Sequence, residues 1–279
     1  MTSMTKRVLT TAITLPVLFI MIYFLPQRSH AALSALAVLT AIAAASEMRG
    51  LFAKASVSLP RTVPLLIGLL PLAQWVEIAY RPALPIVDLS LMGLALVFFS
   101  MEIIVGKADH YKGSLLRIGA KALLLVYPGL LITYIQRLTS LAFAAEALLL
   151  FFLLIFGNDV FAFVFGIWLG KGNRGVVQVS PNKSLAGFVG GTVSAMALGL
   201  LFCLGMPNAA AHISPAASLL VGFATATAAN IGDLIESAFK RSVDVKDSGH
   251  LIPGRGGLLD SIDSMLVGAP IFWLLLTML

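Results

Sequence analysis

Apolar runs close to the roughly 20 residues needed to cross a bilayer as a helix recur from one end of the chain to the other. With 59% hydrophobic and 11% charged residues among 279 and a mean hydropathy of +0.97, the chain carries more apolar surface than a soluble domain of this length buries. Lipid is therefore the solvent this sequence expects. The fold class it implies is all-α: a polytopic transmembrane helical protein, built as one integral membrane domain over 1–279, with N-terminal spans in 1–145 and a C-terminal half in 146–279.

Nine spans can be drawn, at roughly 8–25, 31–46, 63–79, 83–105, 118–135, 147–170, 185–205, 215–236 and 262–279. The second and third are short or interrupted by proline. Lys and Arg in the intervening segments test this count, because cytoplasmic loops collect them. With a cytoplasmic N-terminus, sixteen of the nineteen fall on one side, leaving Arg28, Arg81 and Arg137 on the other. An odd number of spans then puts the C-terminus outside. Lys6 and Arg7 followed by an apolar stretch to Leu25 have the outline of a secretory signal, read here as an uncleaved anchor because the run is long enough to span. This is the topology of a multi-pass protein of a bacterial-type inner (plasma) membrane.

The net charge of +6 lies in short clusters between apolar runs, without a basic stripe, so it speaks for topology and against a nucleic-acid partner. The one cysteine, Cys203, sits in an apolar run. It offers neither a disulfide framework nor a thiol metal site, and reads as packing.

Six of the thirteen carboxylates lie between Gly232 and Asp263: Asp233, Glu236, Asp244, Asp247, Asp260 and Asp263. Asp233, Glu236 and Lys240, at i, i+3 and i+7, share one helix face at the end of the eighth span. Asp260 and Asp263 are i and i+3 at the start of the ninth. Acids at a membrane edge are costly unless paired, hydrated or bound to a cation, and a hard ion such as Mg²⁺ uses one or two protein carboxylates together with substrate phosphates. Between the acidic helix ends stand Lys240, Arg241, Lys246, His250 and Arg255, with Gly249, Gly254, Gly256 and Gly257. Cations beside a glycine-rich turn that opens into a helix suit polyphosphate, since backbone N–H groups and the helix dipole both favour anions there.

Each residue alone also has a plainer reading. Asp260 and Asp263 are placed to cap a first turn, Lys240 and Arg241 are ordinary for a cytoplasmic helix end, and His250 fits a hydrogen-bonded structural role. A second stretch, Ser180, Pro181, Asn182, Lys183 and Ser184 ahead of Gly187, reads either as a helix start or as a phosphate contact. A third, Asn158 and Asp159 with Ala162, Gly166 and Gly170, sets small residues four apart, which is first of all helix packing, within the chain or in a homodimer.

The run SAFKRSVDVKDSGHLIPGRGGLLDSID, Ser237 to Asp263, closely resembles the signature of phosphatidate cytidylyltransferases, also called CDP-diacylglycerol synthases, and Gly232, Asp233, Leu234 and Glu236 fit it too. The Ser180–Ser184 and Asn158–Lys171 stretches resemble weaker blocks of the same family, so the similarity covers roughly 150–279. The resemblance implies transfer of a cytidylyl group from CTP to phosphatidate, or a related lipid phosphate, with Mg²⁺ and room for a second cation. It implies that Asp233 and Asp260 are metal ligands, with Asp263 and Asp247 lining the same site and Asp263 counted with the metal set. Lys240, Arg241 and Lys246 would neutralise CTP and pyrophosphate beside His250, and Ser180, Lys183, Ser184, Arg255, Gly256 and Gly257 would hold the nucleotide. The active site would face the cytoplasm, with phosphatidate entering from the membrane.

Three positions depart from the family pattern. Arg255 stands where a His is usual before the Gly-Gly pair, Ser261 where an Arg is usual between the last two aspartates, and Ala186 where a Glu is usual before Gly187. These changes keep two alternatives open, a paralogue with weakened catalysis or another lipid acceptor, and a scaffold. A transporter, with Glu102 and Glu146 coupling ions, is a third reading. It is countered by the concentration of charge at one membrane face, and both acids are expected in interfacial water.

Overall fold

The computed structural model of the protein describes residues 3–104, 111–175, 177–254 and 256–279, with side chains from Ala12 onward. The described chain is all helix apart from turns and two isolated β-bridges. Its helices are α1 Ser3–Tyr23, α2 Gln27–Lys54, α3 Val63–Ile67, α4 Leu69–Tyr80, α5 Ile86–Ile104, α6 Ser114–Leu124, α7 Leu131–Arg137, α8 Ala144–Trp168, α9 Leu185–Gly205, α10 Pro207–Ala210, α11 Pro215–Arg241 and α12 Leu259–Met278. A π-helical turn, Leu125–Leu130, joins α6 to α7 around Pro128, where the proline has no N–H for an α-helical bond.

Eight described segments are long and apolar enough to cross a membrane: α2, α3 with α4, α5, the continuous Ser114–Ser140, α8, α9, α11 and α12. They match the second to ninth spans expected from the sequence. The first expected span falls on α1, whose described side chains form a shorter apolar helix, Ala12–Tyr23. The side chains of Lys6, Arg7 and Lys107, used in the charge count, lie outside the described residues. This is an all-α polytopic membrane protein.

The chain divides into two compact units, Met1–Arg137 with Ser242–Ser261, and Leu138–Arg241 with Ile262–Leu279. In the first, α2 packs along α3, α4 and α7. Its buried seam is a run of alanines, Ala37, Ala41, Ala44 and Ala45, which lets helices approach closely where lipid supplies no hydrophobic drive. Glu102 and Lys121 are also buried here, at 6% and 1% exposure. Lys121 Nζ reaches Glu102 Oε1 at 2.7 Å, and the Arg117 guanidinium reaches Oε2 at 2.8 Å. This corrects one expectation, since Glu102 is a buried, doubly paired acid and does not stand in interfacial water.

In the second unit, α9 lies between α8 and α11. Glycines set the spacing. A Cβ on Gly222 of α11 would stand 2.8 Å from Ala195 O of α9, and one on Gly199 of α9 would stand 2.9 Å from Ser218 O of α11. The small face of α8 is used in the same way, with Ala162 O 2.7 Å from a Cβ on Gly187. Ala162, Gly166 and Gly170 thus serve packing within the unit. Ser184 starts α9 by accepting the Gly187 N–H at 3.0 Å, an N-cap.

Breaking a buried ion pair leaves an uncompensated charge and costs about 3–5 kcal/mol. Glu102→Ala is therefore expected to lower the SDS-titration stability of the purified protein by that order, while Lys54→Ala, at an exposed helix end, stays within about 0.5 kcal/mol. Equal stabilities would contradict the role given to the Glu102 pairs.

Candidate functional site

The residues singled out in the sequence fall into a loop assembly in the first unit and a helix-end assembly in the second. The loop, 242–258, leaves α11 and returns to α12. Ile252 and Gly256 exchange both backbone hydrogen bonds, at 2.9 and 3.1 Å, closing a narrow turn. Gly256 takes φ +103, a conformation that disfavours any side chain. A Cβ there would also stand 2.9 Å from Asp260 Oδ2 and 3.1 Å from Asp247 Cβ. Gly257 is equally constrained, since its Cβ would lie 2.5 Å from Glu47 Oε2 and 2.8 Å from Gly249 N. The glycines thus let the turn close onto carboxylates. Arg255, just before Gly256, lies outside the described residues.

Asp260 Oδ2 accepts three hydrogen bonds, from Ser248 N at 2.9 Å, Ser248 Oγ at 2.9 Å and Gly257 N at 2.6 Å. Its carboxylate therefore organises the loop ahead of α12. The N–H groups at the start of α12 are met instead by Glu47, near the end of α2. Glu47 Oε1 accepts Leu258 N at 2.9 Å, and Oε2 accepts Leu259 N at 2.8 Å and lies 3.1 Å from Ser248 Oγ. Lys246, Asp247 and His250 are exposed on the same loop, open to a soluble ligand.

In the second unit, Lys183 and Ser180 belong to a turn in which Lys183 N donates to Ser180 O at 3.1 Å. The Lys183 ammonium pairs with Asp233 of α11 and lies 5.5 Å over the Phe188 ring. One helical turn on, Lys240 pairs with the fully buried Glu236, and Arg241 ends the helix exposed. Asp263 is buried, its Oδ1 accepting Ser264 N at 2.6 Å. A Cβ on Gly232 would stand 2.5 Å from Asp263 O, so α11 and α12 touch where Asp233 adjoins Gly232. Behind them, Asn158 Nδ2 donates to Asn230 Oδ1 at 3.0 Å, and Asn230 Nδ2 to Thr192 Oγ1 at 3.4 Å.

Sequence reasoning missed Glu47, Ser248 and the Asn230–Thr192 link. Glu47 lies about 200 residues from its partners and carries no local signal. Ser248, inside the signature, is distinguished only by the two carboxylates its hydroxyl meets.

In the second unit, Asp263 and Asp233, at the α11–α12 contact, offer the carboxylate oxygens that a hard divalent cation takes, and in the first unit Asp260 offers the same kind of donor. Among the described residues no group of three or more His, Cys, Asp or Glu is gathered to hold an ion by protein ligands alone. Mg²⁺ takes few protein ligands and fills its shell with phosphate oxygens and water.

A phosphatidate cytidylyltransferase of Bacillus subtilis is 40% identical over 124 residues, 44% of this chain and 45% of its own. One from Helicobacter pylori is 42% identical over 127 residues, 46% of each. The Escherichia coli protein named uncharacterized protein YnbB is 38% identical over 129 residues, 46% of this chain and 42% of its own. The chain thus spans less than half the length of these relatives in each match. The family model described as "Cytidylyltransferase family" matches residues 5–279, and the chain belongs to that family.

Proposed function

We propose that the protein transfers a cytidylyl group from CTP to phosphatidate or a related lipid phosphate, releasing pyrophosphate and forming CDP-diacylglycerol for phospholipid synthesis. The observation that carries this reading is the signature loop, where Asp260 is held by N–H donors beside exposed Lys246, Asp247 and His250, within a family match covering nearly the whole chain.

In the reaction a phosphate oxygen of the lipid attacks the α-phosphorus of CTP in line. The new P–O bond forms as the α–β anhydride bond breaks, and pyrophosphate leaves with the bond's electron pair. No protein nucleophile is needed, since the acceptor is already an anion. Catalysis then rests on positioning and charge neutralisation. Asp233, Asp260 and Asp263 would hold Mg²⁺, which would neutralise charge on the transferring and leaving oxygens. Lys240, Arg241 and Lys246 would neutralise the triphosphate and the departing pyrophosphate. Lys183, paired with the part-exposed Asp233, could exchange that partner for a phosphate, whereas Lys240 would stay near the fully buried Glu236, whose charge is costly to leave unpaired. Ser180, Arg255, Gly256 and Gly257 would line the nucleotide's path, whereas the Ser184 hydroxyl is engaged as the α9 cap.

The acceptor is membrane-bound, so the site would open laterally near the cytoplasmic face of a bacterial inner membrane, with the N-terminus inside and the C-terminus outside. The ion-coupling alternative loses its footing, because Glu102 is neutralised by Arg117 and Lys121 and Glu146 accepts from Asn208 at 2.8 Å.

Purified protein in detergent with CTP, phosphatidate and Mg²⁺ is expected to form CDP-lipid, and Asp260→Asn to lower kcat at least a hundred-fold. No CDP-lipid from any of several lipid phosphates would overturn the reading, and full activity in Asp260→Asn would remove the metal assignment. Topology is tested by cysteine labelling, since Cys203 is buried. With a membrane-impermeant maleimide, Arg81→Cys is expected to react in intact cells and Lys54→Cys only after permeabilisation; the reverse pattern would invert the orientation.

A further inference from the structure

Glu47 has no place in the function just described, yet it makes more contacts to the signature loop than any residue outside it whose bonds are given above. Its carboxylate accepts the N–H groups of Leu258 and Leu259 and lies 3.1 Å from Ser248 Oγ. The packing around it is tight, since a Cβ on Gly249 would stand 2.6 Å from Glu47 Oε1 and one on Gly257 would stand 2.5 Å from Oε2. Two carboxylates therefore grip one loop, Asp260 through Ser248 N and Gly257 N, and Glu47 through the next two N–H groups along the chain. The Ser248 hydroxyl, within hydrogen-bond distance of both, has a single proton to share between them.

We infer that Glu47 is a positioning residue for the cytidylyl-transfer site, fixing the register of residues 248–260 so that Asp260 and the flanking Lys246, Asp247 and His250 face the ligand in one arrangement. The inference rests on the proposed function for its catalytic consequence, but the geometric part stands on the hydrogen bonds alone. Hydrogen bonds from neutral donors to an ionised acceptor are roughly twice as strong as neutral pairs. An amide at position 47 accepts through only one of its two ends and turns an N–H₂ toward N–H donors. A shorter carboxylate keeps the charge but withdraws it by a methylene. The helix that carries Glu47 is anchored by its buried alanine seam and by Met48 and Leu51, so loss of the carboxylate frees the loop and leaves α2 in place.

The test compares wild type, Glu47→Gln, Glu47→Asp and Ser248→Ala as full-length proteins in detergent. Two readouts are taken, steady-state transfer from CTP to phosphatidate, and amide hydrogen exchange over peptides spanning 246–260. Glu47→Gln is expected to speed exchange at 257–259 at least ten-fold, with unchanged exchange in α2. It should lower kcat at least ten-fold while KM for phosphatidate stays within two-fold. Glu47→Asp is expected to recover part of both effects, and Ser248→Ala to fall between them. Unchanged exchange at 257–259 in Glu47→Gln, or wild-type kcat in that variant, would overturn the inference. So would a uniform rise in exchange throughout the protein with kcat per folded molecule preserved, the mark of a purely structural residue. If Glu47→Gln does not fold, Ser248→Ala decides on the same two readouts. A wild type inactive toward every lipid phosphate would end the functional reading and the catalytic consequence with it, and the exchange data would still decide whether Glu47 holds the loop.

Discussion

A carboxylate removed from water must find cations or N–H donors, or the fold that buries it does not form. The described structure answers that constraint in two ways. Glu102, Asp233 and Glu236 are met by the side chains of Arg117, Lys121, Lys183 and Lys240. Glu47 and Asp260 are met by backbone N–H groups and one serine hydroxyl. The two answers differ in what they permit. A lysine on a flexible stem can leave an acid that is part exposed, as Lys183 can leave Asp233, whereas an N–H cage fixes the acid and the loop around it.

The helical architecture was legible because its cause is local. Apolar runs of spanning length at 147–170, 185–205, 215–236 and 262–279 appear as α8, α9, α11 and α12, and Ser184 opens α9 as the Ser-Pro-Asn-Lys-Ser stretch allowed. The partner of Lys121 was not legible, since only the approach of α5 to α6 puts it against Glu102. The small-residue face of α8 was legible as packing, but its partner, the N-terminal half of α9, is set by which glycines can admit a neighbouring backbone.

The candidate site was legible as a list of residues and only partly as an arrangement. The spacing of Asp233, Glu236 and Lys240 placed them on one helix face, and Lys240 does pair with Glu236. Helix periodicity could not show that Asp233 would meet Lys183, which lies 50 residues earlier, or that Glu47 would close the loop from more than 200 residues away. Such contacts are set by tertiary packing, where sequence spacing carries no information. Of the three departures from the family pattern, Ser261 turns its hydroxyl to Gly257 O at 3.4 Å within the loop and Ala186 sits in the first turn of α9. Neither change disturbs the bonds that hold Asp260.

The central claim is that the α-phosphorus of CTP moves to a lipid phosphate. It is tested most directly by following two labels through one reaction with phosphatidate. With CTP labelled at the α-phosphorus, the label is expected to pass into the organic-soluble lipid, and with CTP labelled at the γ-phosphorus to remain aqueous as pyrophosphate. Label from the γ-position in the lipid, or from neither position, would contradict the account.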